Sequence, residues 1–192
     1  MELPIEGIIK TAWLVFGLYW LWGWRRVKNA QRGESVLPRI LKYWLPLAVA
    51  VWLIGPGQWF RASWLGERMY PAWLETALLG ALVTWIGVAF ACWARYVLGR
   101  NWSSVVQVKQ DHELIQRGPY RFVRHPIYTG LLLAFFGTAM AIGEWRGLIC
   151  VAIVAASFWF KLRLEERWMR ESFGAAYEQY MLRTKALIPG VL

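Results

Sequence analysis

At 192 residues, with 58% hydrophobic content, 15 tryptophans and a net charge of +10, the chain has the length of one domain and is far too apolar for an ordinary soluble one. It reads as a compact integral membrane protein. No basic segment outside the apolar runs is interleaved with aromatics, which argues against nucleic-acid binding; the charge reads as topology signal and attraction to anionic lipid headgroups, with some left to attract an anionic substrate.

Five apolar runs are predicted to span the membrane, three near the roughly 20 residues a helix needs and two shorter. The first, Thr11 to Trp24, reaches spanning length if Lys10 snorkels from its end. It follows Glu2 and Glu6 instead of a basic region and precedes no cleavage pattern, so it is expected to stay in the mature protein. A basic loop of 18 residues, Arg25 to Lys42, leads to the second run, Tyr43 to Phe60, and the third is Thr76 to Ala94. Tryptophans near span ends, such as Trp20, Trp22, Trp24, Trp59, Trp64 and Trp145, form interfacial belts.

The connection from Arg95 to His125 is long enough to fold over the membrane face. Ser104-Val-Val-Gln-Val108 is short and β-prone, Lys109-Gln-Asp-His112 and Gly118-Pro119 are turns, and irregular structure is expected around them. Pro126 suits the first turn of a helix and biases His125 towards an extended backbone, so the fourth run is Pro126 to Gly143. His125 would sit among the unpaired donors at that helix start, either as part of an anion-binding site or as a simple cap.

Gly143-Glu-Trp-Arg-Gly147 is a tight turn, making an antiparallel hairpin with the fifth run, Gly147 to Phe160, which Arg146 and Lys161 extend by snorkelling. The fifth helix continues to Phe173, Gly174 interrupts it, and a further helix is expected over about Ala175 to Arg183 with Tyr177 and Tyr180 on one face. Glu165 and Glu166 lie about 100° apart around the axis, so only one is expected to face a given pocket. Glu166, Arg167 and Arg170 read as a solvated, salt-bridged face. Glu165, one turn beyond the hydrocarbon boundary, can share a cleft with the His125 segment.

Eighteen of the 22 basic residues fall in the first connection, the third connection and the tail; Lys10, Arg61, Arg68 and Arg146 fall on the other side. The positive-inside rule then places the N-terminus outside and the C-terminus in the cytoplasm, across the inner membrane if the source is bacterial. Cys92 and Cys150 lie within spans and imply neither disulfide nor metal site.

Several segments occur together in one order: Leu98-Gly-Arg-Asn-Trp-Ser103, Gln107, His112-Glu-Leu-Ile115, Gly118 with Tyr120, Arg124-His-Pro-Ile-Tyr-Thr-Gly130, Glu165-Glu166, and Phe173-Gly-Ala-Ala-Tyr-Glu-Gln-Tyr180. In this the chain resembles the isoprenylcysteine carboxyl methyltransferases and the wider group of membrane methyltransferases that includes phospholipid N-methyltransferases. The resemblance covers roughly Arg95 to Pro189. It implies an S-adenosylmethionine pocket lined by Gln107, His112, Glu113, Leu114, Ile115, Tyr120, His125, Pro126, Ile127, Tyr128 and Glu165, with a lipid-facing tunnel for the substrate. It also implies a cation four residues before the glutamate for the substrate carboxylate. That position is Lys161 instead of the family's usual arginine, with Arg163 two residues on; lysine lacks the planar fork of a guanidinium.

The expected architecture is an all-α membrane fold of about five spans with a cytoplasmic C-terminal helical cap forming the cofactor site. One domain covers residues 1–192: 1–71 holds two spans and a basic loop without a recognised motif, and 72–192 the methyltransferase core, with its connection over 95–125 and tail over 161–192. The leading function is S-adenosylmethionine-dependent methyl transfer to an amphipathic or lipid-linked acceptor, foremost the carboxylate of an isoprenylcysteine-like substrate. An ionised carboxylate, with an ordinary pKa of about 3.5, needs no general base. Phospholipid amine or thiol methylation, a sterol-reductase-like NADPH-dependent oxidoreductase, and a non-catalytic lipid-binding subunit are the alternatives.

Overall fold

The computed structural model describes residues 4–24, 30–33, 35–99, 107–109 and 114–191. Among them are five long helical stretches, one short terminal helix and a two-stranded ribbon. Helix α1 spans Pro4–Trp24. It starts seven residues ahead of the expected Thr11, because Glu6 in its first turn pairs with Lys10 at 2.5 Å, one turn on, and the charges stay exposed.

The second stretch begins as α2 (Val36–Arg39), passes through a π-helical turn at Ile40–Trp44 and continues as α3 (Leu45–Leu53). Its boundaries are shifted from the expected Tyr43 to Phe60. The chain leaves the helix at Gly55-Pro56, where proline has no N–H to continue the ladder, and residues 54–60 turn back through a 3-10 turn at Gly57–Trp59.

Helices α4 (Leu74–Leu98), α5 (Pro126–Ile142) and α6 (Trp145–Phe173) follow, then α7 (Ala175–Arg183). By length and composition α4 and α6 can cross a membrane, and α5 is apolar but shorter. Gly143, in the left-handed region at φ 66°, turns α5 into α6 within three residues, and Gly174, at φ 50°, breaks α6 from α7. Strands β1 (Ala30–Gly33) and β2 (Gln107–Lys109) pair antiparallel, Gly33 opposite Gln107, and so tie the first connection to the third. Lys109, expected in a turn, is in the strand; residues 100–106 and 110–113 lie outside the described set.

The tightest packing is between α4 and α5, and it rests on small residues. Gly80, Thr84, Gly87 and Ala91 on α4 meet Gly130, Ala134, Gly137 and Ala141 on α5. A Cβ at Gly87 would lie 2.5 Å from the Gly130 carbonyl oxygen, and one at Gly137 2.5 Å from the Thr84 amide nitrogen. Both obstructions are backbone, so the helices approach only where side chains are absent. Gly87→Leu should therefore lower stability by about 3 kcal/mol or more, read as thermal unfolding in detergent, whereas Gly7→Leu, facing open space on α1, should not.

Elsewhere the helices are joined by polar contacts. Trp13 Nε1 on α1 donates to Thr138 Oγ1 on α5 at 3.1 Å, and Trp85 Nε1 on α4 donates to the Ile8 carbonyl at 3.2 Å. Arg146 does not snorkel as expected. It is 4% exposed, and its Nη1 donates to the Leu53 and Gly55 carbonyls at 2.7 Å each while Nε pairs with Glu144 at 2.5 Å. The end of α3 leaves carbonyls without intrahelical partners, and this guanidinium satisfies them.

Candidate functional site

The site lies where α5 begins and α6 passes beside it. Gly118, at φ 61°, opens a 3-10 turn over Gly118–Arg121, and Val123 forms a parallel bridge with Lys185 of the terminal segment. That segment then holds the backbone: Arg124 N donates to the Lys185 carbonyl at 2.8 Å and His125 N to the Ala186 carbonyl at 3.0 Å. Thr129 Oγ1 donates to the Leu187 carbonyl at 2.7 Å. The chain before α5 is therefore pinned along this terminal segment before Pro126 starts the helix.

His125 is the N-cap residue, at φ −121° and ψ 59°, yet its side chain makes no capping bond. The ring turns towards α6. Its Nδ1 lies 3.4 Å from Glu165 Oε2 and its Nε2 3.3 Å from Glu166 Oε1. One imidazole thus bridges two adjacent glutamates, and both face the cluster. The expectation that only one could do so fails because the ring sits between the two directions in which the side chains leave the helix.

Glu166 is also not part of a solvated face. Its carboxylate is 7% exposed and accepts from Arg124 Nε at 2.8 Å and Nη2 at 2.7 Å, with Arg170 Nη2 at 3.9 Å. Arg124 Nη1 also donates to the carbonyls of Met181 and Thr184, where α7 ends. Glu165 is more open, its side chain 25% exposed, and accepts from Tyr128 Oη at 2.5 Å. The Tyr128 ring stacks on His125 at 5.5 Å and on Phe158 at 4.8 Å.

Burial alone would raise Glu166, but the bonds and charges of His125 and Arg124 outweigh it and hold its pKa at about 2. Glu165 is lowered as well: burial opposes the shift, and His125, Lys161 and Tyr128 overcome it. Burial would lower His125, but the two carboxylates hold it above its ordinary 6.5. When protonated, the ring has an N–H facing each carboxylate.

These directions fix a pH profile. The lowered Glu166 contributes stability in full above its ordinary 4.5, and loses it as pH falls through about 2. The raised His125 contributes in full below 6.5, and loses it as pH rises through its higher folded value. Stability from this cluster should be greatest between 4.5 and 6.5. Thermal unfolding of Glu166→Gln against pH should show the acid limb flattened relative to the parent chain.

Of the other residues singled out in the sequence, Pro126 is buried at the first position of α5, and Ile127 is half-buried against the core. Tyr120 is buried, its carbonyl accepting from Tyr180 Oη at 2.5 Å. Leu114 and Ile115 are half-buried in irregular chain. Gln107 is in β2, with its side chain undescribed, and His112 and Glu113 lie outside the described residues. Lys161 Nζ lies 5.5 Å from the Tyr128 ring centroid and 5.9 Å from that of Tyr43. Arg163 is exposed, stacked over Trp159 at 5.2 Å, and is not brought to the cluster. Glu166 and Tyr43 are the members that sequence reasoning missed; Arg124 stands in the motif before α5, but its pairing with Glu166 does not show in the sequence.

A phospholipid methyltransferase family model matches residues 76–176, more than half of the chain. The protein-S-isoprenylcysteine O-methyltransferase of Schizosaccharomyces pombe is 28% identical over 159 residues, 77% of this chain and 66% of that protein. The Saccharomyces cerevisiae protein of the same name is 30% identical over 115 residues, 58% of this chain and 48% of that protein. Methanethiol S-methyltransferase 1 of Bradyrhizobium diazoefficiens is 39% identical over 71 residues, 36% of this chain and 24% of that protein. The chain spans from about half to two thirds of the length of the two yeast relatives.

Proposed function

The chain belongs to the phospholipid methyltransferase family, and from that premise we propose that it is an S-adenosylmethionine-dependent membrane methyltransferase acting on an amphipathic or lipid-linked acceptor. The observation that carries the proposal is Glu165, a partly open carboxylate held in place by two buried side chains, Tyr128 and His125.

The donor set fits the cofactor's amino-acid end. Glu165 offers an anion to an ammonium group, and the amides of Ile127 and Tyr128, in the first turn of α5, have no intrahelical acceptor and suit a carboxylate. Gln107, His112, Glu113, Leu114, Ile115, Tyr120 and Pro126 are proposed to line the remainder. When bound, the cofactor supplies an electrophilic methyl group on a cationic sulfur. The residues of this chain align the acceptor and exclude water, and positioning of this kind can contribute roughly 7–11 kcal/mol.

For the acceptor we favour a carboxylate on an isoprenylcysteine-like lipid. Lys161 stands on the Tyr128 side of α6, where it can attract such an anion, while Arg163 points away. A thiol acceptor is the second reading, favoured by the 39% identity to the methanethiol enzyme. A lipid-borne substrate gains about 0.8 kcal/mol per methylene by staying in the bilayer, which suits an embedded enzyme.

We further propose five spans with the site on the cytoplasmic face. Contacts such as Lys42 with Ser157 and Leu53 with Arg146 run α3 antiparallel to α6, and the β1–β2 ribbon joins the first and third connections, as expected if both lie on one side. Radiolabelled methyl transfer in native membranes, followed by base treatment, tests the function. Base-labile label means an ester; base-stable label redirects the acceptor to a thiol or amine, and no labelling from the methyl donor sinks the proposal. Lys161→Ala should lower turnover about ten-fold with little change in S-adenosylhomocysteine affinity, since it removes one charge from the acceptor side.

A further inference from the structure

The π-helical turn at Ile40–Trp44 brings one residue of the N-terminal half to the site. Pro46 has no N–H for the Lys42 carbonyl, and the Leu45 amide bonds instead to Ile40, five residues back. The Lys42 carbonyl accepts from Ser157 Oγ at 2.9 Å. Ser157 is one turn before Lys161 on the same face of α6, so this bond docks the turn where Tyr43 meets Lys161. The Lys161 ammonium then has the Tyr43 ring at 5.9 Å and the Tyr128 ring at 5.5 Å.

We propose that Tyr43 is a positioning residue for the acceptor: with Tyr128 it clasps Lys161 between two aromatic rings and so fixes where the ammonium meets the acceptor's anionic group. The inference rests on the acceptor role given to Lys161 above. A lysine is a point charge on a flexible four-carbon stem, free to swing towards Glu165. Two ring faces attract the cation and confine the stem, and so set the direction from which the ammonium meets the acceptor. The clasp supplies by packing the orientation that a guanidinium would have by its own shape. It also gives the N-terminal helices a part in choosing the acceptor.

The test uses the full chain in nanodiscs with a farnesylated N-acetylcysteine as acceptor. Tyr43→Leu should raise the acceptor KM roughly ten-fold and leave S-adenosylhomocysteine affinity within about two-fold, and Tyr43→Phe, which keeps the ring, should restore the acceptor KM. In a Lys161→Ala background Tyr43→Leu should add nothing; an equal rise there overturns the proposal. A second readout does not depend on turnover. After reductive methylation with labelled formaldehyde, the Lys161 methyl resonance, assigned by its loss in Lys161→Arg, should be shifted upfield by the rings and return towards the ordinary lysine position in Tyr43→Leu. An unshifted resonance in the parent chain overturns the clasp. A shifted resonance without turnover of this acceptor upholds the clasp and removes the carboxylate reading instead.

Discussion

Glu165→Ala should abolish measurable S-adenosylhomocysteine binding, a loss of at least about 100-fold, while the helices stay folded. Charge-assisted bonds from an ammonium to a carboxylate are among the stronger single contacts, and here the carboxylate is pre-oriented by Tyr128 at 2.5 Å and His125 at 3.4 Å. Its side chain is 25% exposed, so truncation opens no sealed cavity. His125→Ala should reduce affinity nearly as far by a different route. It removes the ring that holds Glu165 and leaves that carboxylate the Tyr128 hydroxyl, while Glu166 keeps Arg124. Titration calorimetry on both variants, with thermal unfolding to confirm the fold, decides the matter: unchanged affinity in both would mean that the pocket lies elsewhere.

The start of α5 could be read from Pro126 alone, because a residue without an N–H has few other places in a helix. The α5–α6 turn could be read as well, since Gly143-Glu-Trp-Arg-Gly147 is too short for anything longer. The role of Glu166 could not. From its neighbours it is one of a run of charges with Arg170 a turn away, and what buries it is Arg124, 42 positions earlier. Arg124 could be read as part of the motif that leads into α5, but not as the partner of Glu166. Arg146 misled for the same reason: the carbonyls of Leu53 and Gly55 that hold it are over 90 positions away. The π-turn follows from Pro46 in principle, but its consequence, Tyr43 beside Lys161, needs the docking of α3 on α6. Local rules carry caps and turns, and distant partners decide which charges are inside.

Arg124→Met should cost about 3 kcal/mol of stability, more than Glu166→Leu at about 2 kcal/mol, and the double variant should lose less than either single variant. The order follows from what each change leaves behind. Without Arg124 the Glu166 carboxylate, 7% exposed, keeps His125 and only a distant Arg170 at 3.9 Å. Without Glu166 the guanidinium still donates to the Met181 and Thr184 carbonyls, so its charge is better satisfied. In the double variant no orphan carboxylate remains to be desolvated, which is why apolar replacement of both partners is milder than removal of one. Chemical unfolding of all three in detergent gives the coupling energy, and simple additivity would mean that the pair contributes nothing as a pair. The same cycle bears on function. Arg124 ties the end of α7 to α6, and the segment just after α7 holds the His125 backbone through Ala186 at 3.0 Å. Arg124→Met should therefore weaken S-adenosylhomocysteine binding with no ligand contact of its own removed, through a loosened His125 and, behind it, a less precisely held Glu165.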